Sequence, residues 1–168
     1  TNMDGADLFR VDMSKSNLDS TNLSNCNLKH STMIWSKLND ASLRNSNLDG
    51  ANFSNAEMKK ADLSNCSISY AILSGSKLNN ANLDSVKLIG SVCFQTDFTQ
   101  ALFVNVELRG GEISHSVWEN TLVSDNWLEV LSSSNAIGSE SIILNHEILE
   151  DPNNIGLASS FSKVRKKR

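Results

Sequence analysis

The sequence predicts an all-β solenoid of stacked short coils, and three observations carry that reading. From Met3 to Val123 every fifth residue is apolar: twenty-five consecutive positions, running through Leu8, Leu38, Phe53, Leu83, Phe103 and Trp118 without an insertion. A second series two residues ahead is small, as at Ala41, Ser46, Ala51, Ala56, Ala61, Cys66, Ala71, Ser76 and Ala81. The three positions between are rich in Asn, Asp, Ser and Gly, the residues that close turns. A period of five matches neither helix nor ordinary strand, whose side-chain periods are about 3.6 and 2. Sustained this long, it is a repeat architecture.

Residues two apart share a face of extended chain, so the small and large members of each unit point inward together and the other positions make a corner. Each coil alone cannot bury its inward residues, but a stack makes one continuous core. Coils would pair their backbones at about 4.8 Å.

The units Ala6-Asp7-Leu8, Ala51-Asn52-Phe53, Ala61-Asp62-Leu63 and Ala81-Asn82-Leu83 carry a resemblance to the pentapeptide-repeat family, whose pattern is roughly Ala-(Asp/Asn)-Leu-x-x. The resemblance covers about three quarters of the chain. It implies a right-handed, four-sided parallel β-helix with 20 residues per coil, hence about six coils here. On that winding Lys37, Glu57, Lys77 and Asp97 form one column of alternating charge, where opposite neighbours help by a fraction of a kcal/mol. Asn25, Asn45, Asn65 and Asn105 form another, with Ser85 in the gap, and read as a ladder of amides.

The chain divides into a β-helix over 1–125, a cap and helix over 126–151, and a flexible basic tail or linker over 152–168. Residues 126–135 supply Trp127, Leu128 and Leu131 as cover for the open end, since uncovered strand edges invite pairing. A short helix is expected over 139–150, capped by Ser139 or Ser141 and stopped by Asp151-Pro152. The terminal Lys163-Val164-Arg165-Lys166-Lys167-Arg168 is read as a solvated terminus rather than a nucleic-acid patch. The chain begins in phase with the repeat and without Met, which suggests an excised module.

Charge and cysteine usage narrow the function. The net charge of −4 over 168 residues is mild for a polyanion. Cys26 and Cys66 fall two coils apart, roughly 10 Å by strand spacing, beyond the ~7 Å Cα separation a disulfide tolerates. Cys93 lies in another column, so all three are expected to be reduced core residues, which suits a reducing compartment. No run of about 18 apolar residues is present to span a membrane.

No catalytic constellation emerges. His30, His115 and His146 are scattered, no Cys/His spacing suits zinc, Gly110-Gly111 stands alone, and Asp7, Asp62 and Asp97 fill the family's polar slot. The expectation is a non-enzyme without cofactor or metal. The informative residues are apolar ones at outward positions, because clustered exposed apolar side chains mark contact sites. On a 20-residue coil Ile34, Trp35, Ile72, Val92 and Phe94 share one side, with Phe9, Tyr70 and Ile89 at the corner leading into it. Leu102, Val104 and Leu122 lie on the opposite side. One cluster is expected under the C-terminal helix. The other is expected to bind a protein partner through Trp35, Ile34, Tyr70, Ile72, Ile89, Val92 and Phe94, with the aromatics as anchors.

The functional expectation is therefore a protein-interaction scaffold. The family resemblance offers two versions of it. One is the recruiting module of a secreted bacterial effector of the HECT-like ubiquitin ligase type, acting on a host protein in the host cytoplasm. The other is a DNA-mimicking, gyrase-binding protein of the quinolone-resistance type, which demands an unbroken row of carboxylates. Here the columns mix signs, as in Asp4, Arg44 and Asp84. The chain is expected in the cytoplasm, or secreted into that of a host.

Overall fold

A computed structural model of the protein describes residues 1–124, 136–138 and 143–144. Over them, as far as Val117 and Ile137, the chain winds into a tube in which paired residues lie 20 positions apart. Four parallel bridges recur in each coil: Asn2 with Asn22, Asp7 with Asn27, Asp12 with Thr32 and Asn17 with Lys37, and so on up to Val117 with Ile137. The tube is four-sided because one bridge falls in each five-residue unit. Where pairing lengthens it forms strands β1 (Lys87–Ile89), β2 (Leu102–Phe103), β3 (Glu107–Arg109), β4 (Leu122–Val123) and β5 (Ile143–Leu144). β1 pairs β3, and β2, β4 and β5 form a second parallel sheet.

One unit shows why the sequence repeats as it does. The N–H of Asn52 donates to Ser31 O in the coil below at 2.9 Å, and those of Phe53 and Asn55 donate to Ile72 O and Ser74 O in the coil above at 2.7 and 2.9 Å. Ala56 N–H closes the corner on Phe53 O at 3.0 Å. The remaining donor, Ser54 N–H, is held at 2.9 Å by the side-chain oxygen of Asn52. All five donors are thus satisfied, as a closely packed backbone requires, and the last bond explains the Asn/Asp slot. Asp7, Asp12, Asn22, Asp62, Asn82 and Asp97 bond the N–H two residues on in the same way.

The second corner residue is left-handed at every unit: non-glycine φ values there run from 52° to 62°. Asn, Asp and Gly tolerate this region best, which accounts for Asn25, Asp40, Asn45, Gly50, Asn55 and Asn65. The expected Asn ladder is partly formed. Asn45 Nδ2 donates to Asn25 Oδ1 at 3.2 Å, but Asn105 turns to Asp84 at 3.0 Å. Backbone conformation, more than the ladder, keeps Asn at this corner.

The core is the continuous stack of large inward residues, fully buried from Leu23 to Leu88 along the repeat. Met3, Leu8 and Met13 of the first coil are only partly buried. Polar members of the small inward series bond the coil below: Ser46 Oγ donates to Leu23 O at 2.7 Å, Thr96 Oγ1 to Leu73 O at 2.8 Å and Thr121 Oγ1 to Phe98 O at 2.7 Å. Cys66 Sγ does the same to Leu43 O at 2.9 Å. The three cysteines are free and buried. Near the C-terminal end Phe98, Phe103 and Trp118 form an aromatic triplet with centroids 4.6 to 5.2 Å apart.

The helix expected over 139–150 meets a different result at its two described residues. Ile143 and Leu144 form β5 and pair in parallel with Leu122 and Val123. β-branched and aliphatic residues beside an open ladder gain interstrand bonds there, and an apolar run this short does not distinguish helix from strand by pattern. The offset between paired residues grows from 20 at Val117–Ile137 to 21 at Leu122–Ile143. The rest of that segment, residues 125–135 and the basic tail lie outside the described residues.

Candidate protein-binding face

One side of the tube carries outward apolar residues, bounded by two corners. Within it Ile72 and Val92 face each other across adjacent coils, and Phe94 lies on the same side. Tyr70 and Ile89 sit on the corner before it, in adjacent coils joined by Tyr70 N–H donating to Ile89 O at 2.8 Å. These five residues are brought together. Ile34 and Trp35 share the side and its far corner but lie two coils away, roughly 10 Å along the axis. The intervening coil presents Asn52, Ser54 and Asn55, whose polar atoms bond one another, with Ser54 Oγ donating to Asn52 Oδ1 at 2.6 Å. The predicted face is therefore two patches in one row.

Exposure separates anchors from supports. Tyr70 is 71% exposed, Trp35 61% and Ile72 38%, while Ile34, Ile89, Val92 and Phe94 are half-buried. Tyr70 lies over the next coil at a glycine: a Cβ on Gly90 would sit 2.8 Å from the ring carbons Cδ1 and Cε1. Phe94 meets His115 edge-on at 5.4 Å. From the sequence His115 is only a scattered histidine, and neither it nor Gly90 is placed in this face, although the 20-residue period sets one directly above Tyr70 and the other beside Phe94. Trp35 and Tyr70 occupy left-handed corners with φ of 59° and 58°, where a bulky residue is a genuine outlier. At the same corner as Tyr70, toward the N-terminal end, Phe9 is exposed, packs edge-on to His30 at 6.0 Å and carries the Arg10 guanidinium 5.1 Å from its centroid.

The opposite cluster behaves differently. Leu102, Val104 and Leu122 point outward yet are 3%, 2% and 3% exposed, so they are no free surface.

The charged side keeps mixed signs. Lys77 Nζ lies 3.2 Å from Glu57 Oε1, and this ammonium holds the Glu57 carboxyl below its usual range. On the side of Asn82 and Leu102, Arg44 pairs with Asp62 at 3.4 Å. Among the described residues no three His, Cys, Asp or Glu side chains converge as metal ligands, and no helix is long and apolar enough to cross a membrane. Burial pushes the Cys66 and Cys93 thiols up to about 12, far from the reactive thiolate range.

Residues 6–83 match the family model described as a pentapeptide repeat region. No curated protein sequence matches the chain. Solved structures that the chain matches include a pentapeptide repeat protein from the cyanobacterium Cyanothece 51142, 21% identical, covering 81% of this chain and 90% of that one with a TM-score of 0.46. A pentapeptide repeat protein from the Arabidopsis thaliana thylakoid lumen is 22% identical over 79% of this chain and 78% of its own, with a TM-score of 0.36. Full-length QnrB1, a plasmid-mediated fluoroquinolone resistance protein, is 12% identical over 93% and 100%, with a TM-score of 0.42. The unbroken period of five, the four bridges per coil and the family match over residues 6–83 agree, and the repeat region is of the pentapeptide-repeat type, with the right-handed β-helix that this type implies.

Proposed function

We propose that this β-helix is a non-catalytic scaffold that recruits a protein partner through the side carrying Tyr70, Ile72, Ile89, Val92 and Phe94, with Ile34 and Trp35 as a second patch in the same row. The observation that carries the reading is the pair of aromatics, Trp35 and Tyr70, exposed at left-handed corners. Asn or Gly would fit there at lower conformational cost, and they serve the fold as well at neighbouring corners. Exposed aromatics beside aliphatic residues are the composition of binding hot spots. A row of fixed rungs is the kind of surface solenoids use for recognition.

The larger context in this reading is a bacterial effector, in which the β-helix brings a host protein to a separate catalytic domain and acts in the host cytoplasm. The mixed signs of the Lys37–Glu57–Lys77–Asp97 column speak against the alternative, a gyrase-binding DNA mimic, which needs one continuous negative row. In a pull-down from host-cell lysate, Trp35→Ser with Phe94→Ser should abolish capture of a specific protein while the melting temperature moves by only a few degrees. A large loss of stability would instead identify these side chains as internal packing and sink the proposal.

A further inference from the structure

We infer that the corner column running through His30, Gly50, Tyr70 and Gly90 binds a proline-rich segment of a protein partner, held in the polyproline II conformation with an acidic residue at the His30 end. This site rests on the recruiting face proposed above at Tyr70 and Ile89, which the two share. The left-handed corner residues of this column are Arg10, His30, Gly50, Tyr70, Gly90 and Gly110, so that from His30 onward rings alternate with glycine. Each ring leans along the tube onto the glycine of the next coil. A Cβ on Gly50 would lie 2.8 Å from His30 Cε1, and one on Gly90 2.8 Å from Tyr70 Cδ1. The glycines therefore make room for the rings, and both rings remain exposed. A Cβ on Gly110 would meet nothing within 4 Å, so the corner beyond Tyr70 is open. Phe9 stands edge-on to His30 and Ile89 lies beside Tyr70, which gives each ring an apolar neighbour.

The spacing of the rings selects the ligand. His30 and Tyr70 are two coils apart, roughly 9.4–9.8 Å. A polyproline II segment returns to the same face every three residues, about 9.3 Å. An extended strand does so every two residues, about 6.7 Å, and an α-helix over seven residues, about 10.5 Å. The first falls within about half an ångström of the ring spacing and the others do not. Proline-rich segments dock on aromatic surfaces at low entropic cost because their conformation is preformed. Their carbonyls have no internal partner, and the Tyr70 hydroxyl and His30 imidazole can donate to them. Charge sets the direction. Along this corner column and the outward column just before it, the cations are Arg10, Lys29 and Arg109, and the one carboxylate is Asp49. Asp49 Oδ1 is engaged by Ser67 Oγ at 2.6 Å and Ser69 N–H at 3.0 Å, and Arg109 pairs with Glu107 at 3.2 Å. Arg10 and Lys29 thus leave the His30 end positive, which suits an acidic residue of the ligand.

Fluorescence anisotropy of the full chain with a labelled peptide of two glutamates followed by nine prolines tests this. That peptide should bind at least tenfold more tightly than two equally labelled controls, one with glycine and serine in place of the prolines and one helical, built of Glu-Ala-Ala-Ala-Lys repeats. Tyr70→Asn, a residue common at these corners, should weaken binding at least tenfold. Exchanging ring and glycine, Tyr70→Gly with Gly90→Tyr, keeps the composition but sets the rings three coils apart, roughly 14 Å, and should weaken binding as much while the melting temperature moves by only a few degrees. Trp35→Ser with Phe94→Ser should leave peptide binding unchanged. The inference is overturned if either control peptide binds as well as the oligoproline, if Tyr70→Asn binds unchanged, or if the exchanged variant binds like the unaltered chain. Capture of a protein from lysate that depends on Trp35 and Phe94, with no oligoproline binding, would overturn this inference and leave the recruiting face standing.

Discussion

At the scale of single residues, conformation and burial decide what each slot of the five-residue unit accepts. The left-handed corner is the most selective. A non-glycine residue there carries roughly 1–2 kcal/mol of backbone cost, which Asn reduces through local hydrogen bonding. Trp35→Asn should therefore raise stability by up to about 1 kcal/mol in a denaturant melt, because the largely exposed indole gives up little packing. Asn65→Val at an equivalent corner, with φ of 60°, should lower it by about 1–2 kcal/mol. The inward cysteines make a second residue-level statement. Cys66 and Cys93 are raised from 9.0 to about 12, so the folded state keeps its thiol protons where the unfolded chain loses them. Their contribution is fully present below pH 9 and is lost as pH rises from 9 toward 12. Thermal melts across that window should decline, and the decline should be shallower in Cys93→Ala.

The element of this fold is the coil, and coils differ in what fills them. Most carry four leucine-sized side chains, whereas the last complete ones hold Phe98, Phe103 and Trp118 in mutual contact, with Trp118 Nε1 donating to Ser116 Oγ at 2.6 Å. Trp118→Ala would open a void that the stiff backbone ladder cannot close and should cost about 3–5 kcal/mol, measured by guanidinium denaturation. Breaking the exposed Lys77–Glu57 pair should change stability by less than about 1 kcal/mol. How much of an element the sequence reveals follows from how local its causes are. The inward Leu and Ala slots and the turn-forming corners were legible because each is set within five residues. β5 was not, because Ile142-Ile143-Leu144 reads alike as a helix face or a short strand, and its pairing with Leu122–Val123 depends on a residue 21 positions away. The apolar row was legible once the period was known. That Leu102 and Val104 are buried while Ile72 is exposed was not, since all three stand at outward slots of the five-residue repeat.

At the scale of the whole molecule the solenoid is one-dimensional, each coil touching only the coils before and after it. Removing one full coil, Ser42 to Ala61, joins Ala41 to Asp62 and restores every column, because Ser42 and Asp62 are bridge partners. The shortened protein should keep its β-type circular dichroism and melt cooperatively, a few degrees lower. Removing two residues, Ser42 and Leu43, interrupts the inward series and should leave an aggregated or unfolded product by size exclusion. If both deletions behaved alike, the period would not be what holds the tube together.

The inner hydroxyls and thiols that bond one coil to the carbonyls of the coil below, as Ser46 does to Leu23 and Thr121 to Phe98, have a mechanical consequence. Under tension applied at the two chain ends in an optical trap, these rivets and the ladders beside them give way together within a coil but independently between coils. Extension should then proceed in even steps, each releasing 20 residues, or about 70 Å of contour at 3.3–3.6 Å per residue.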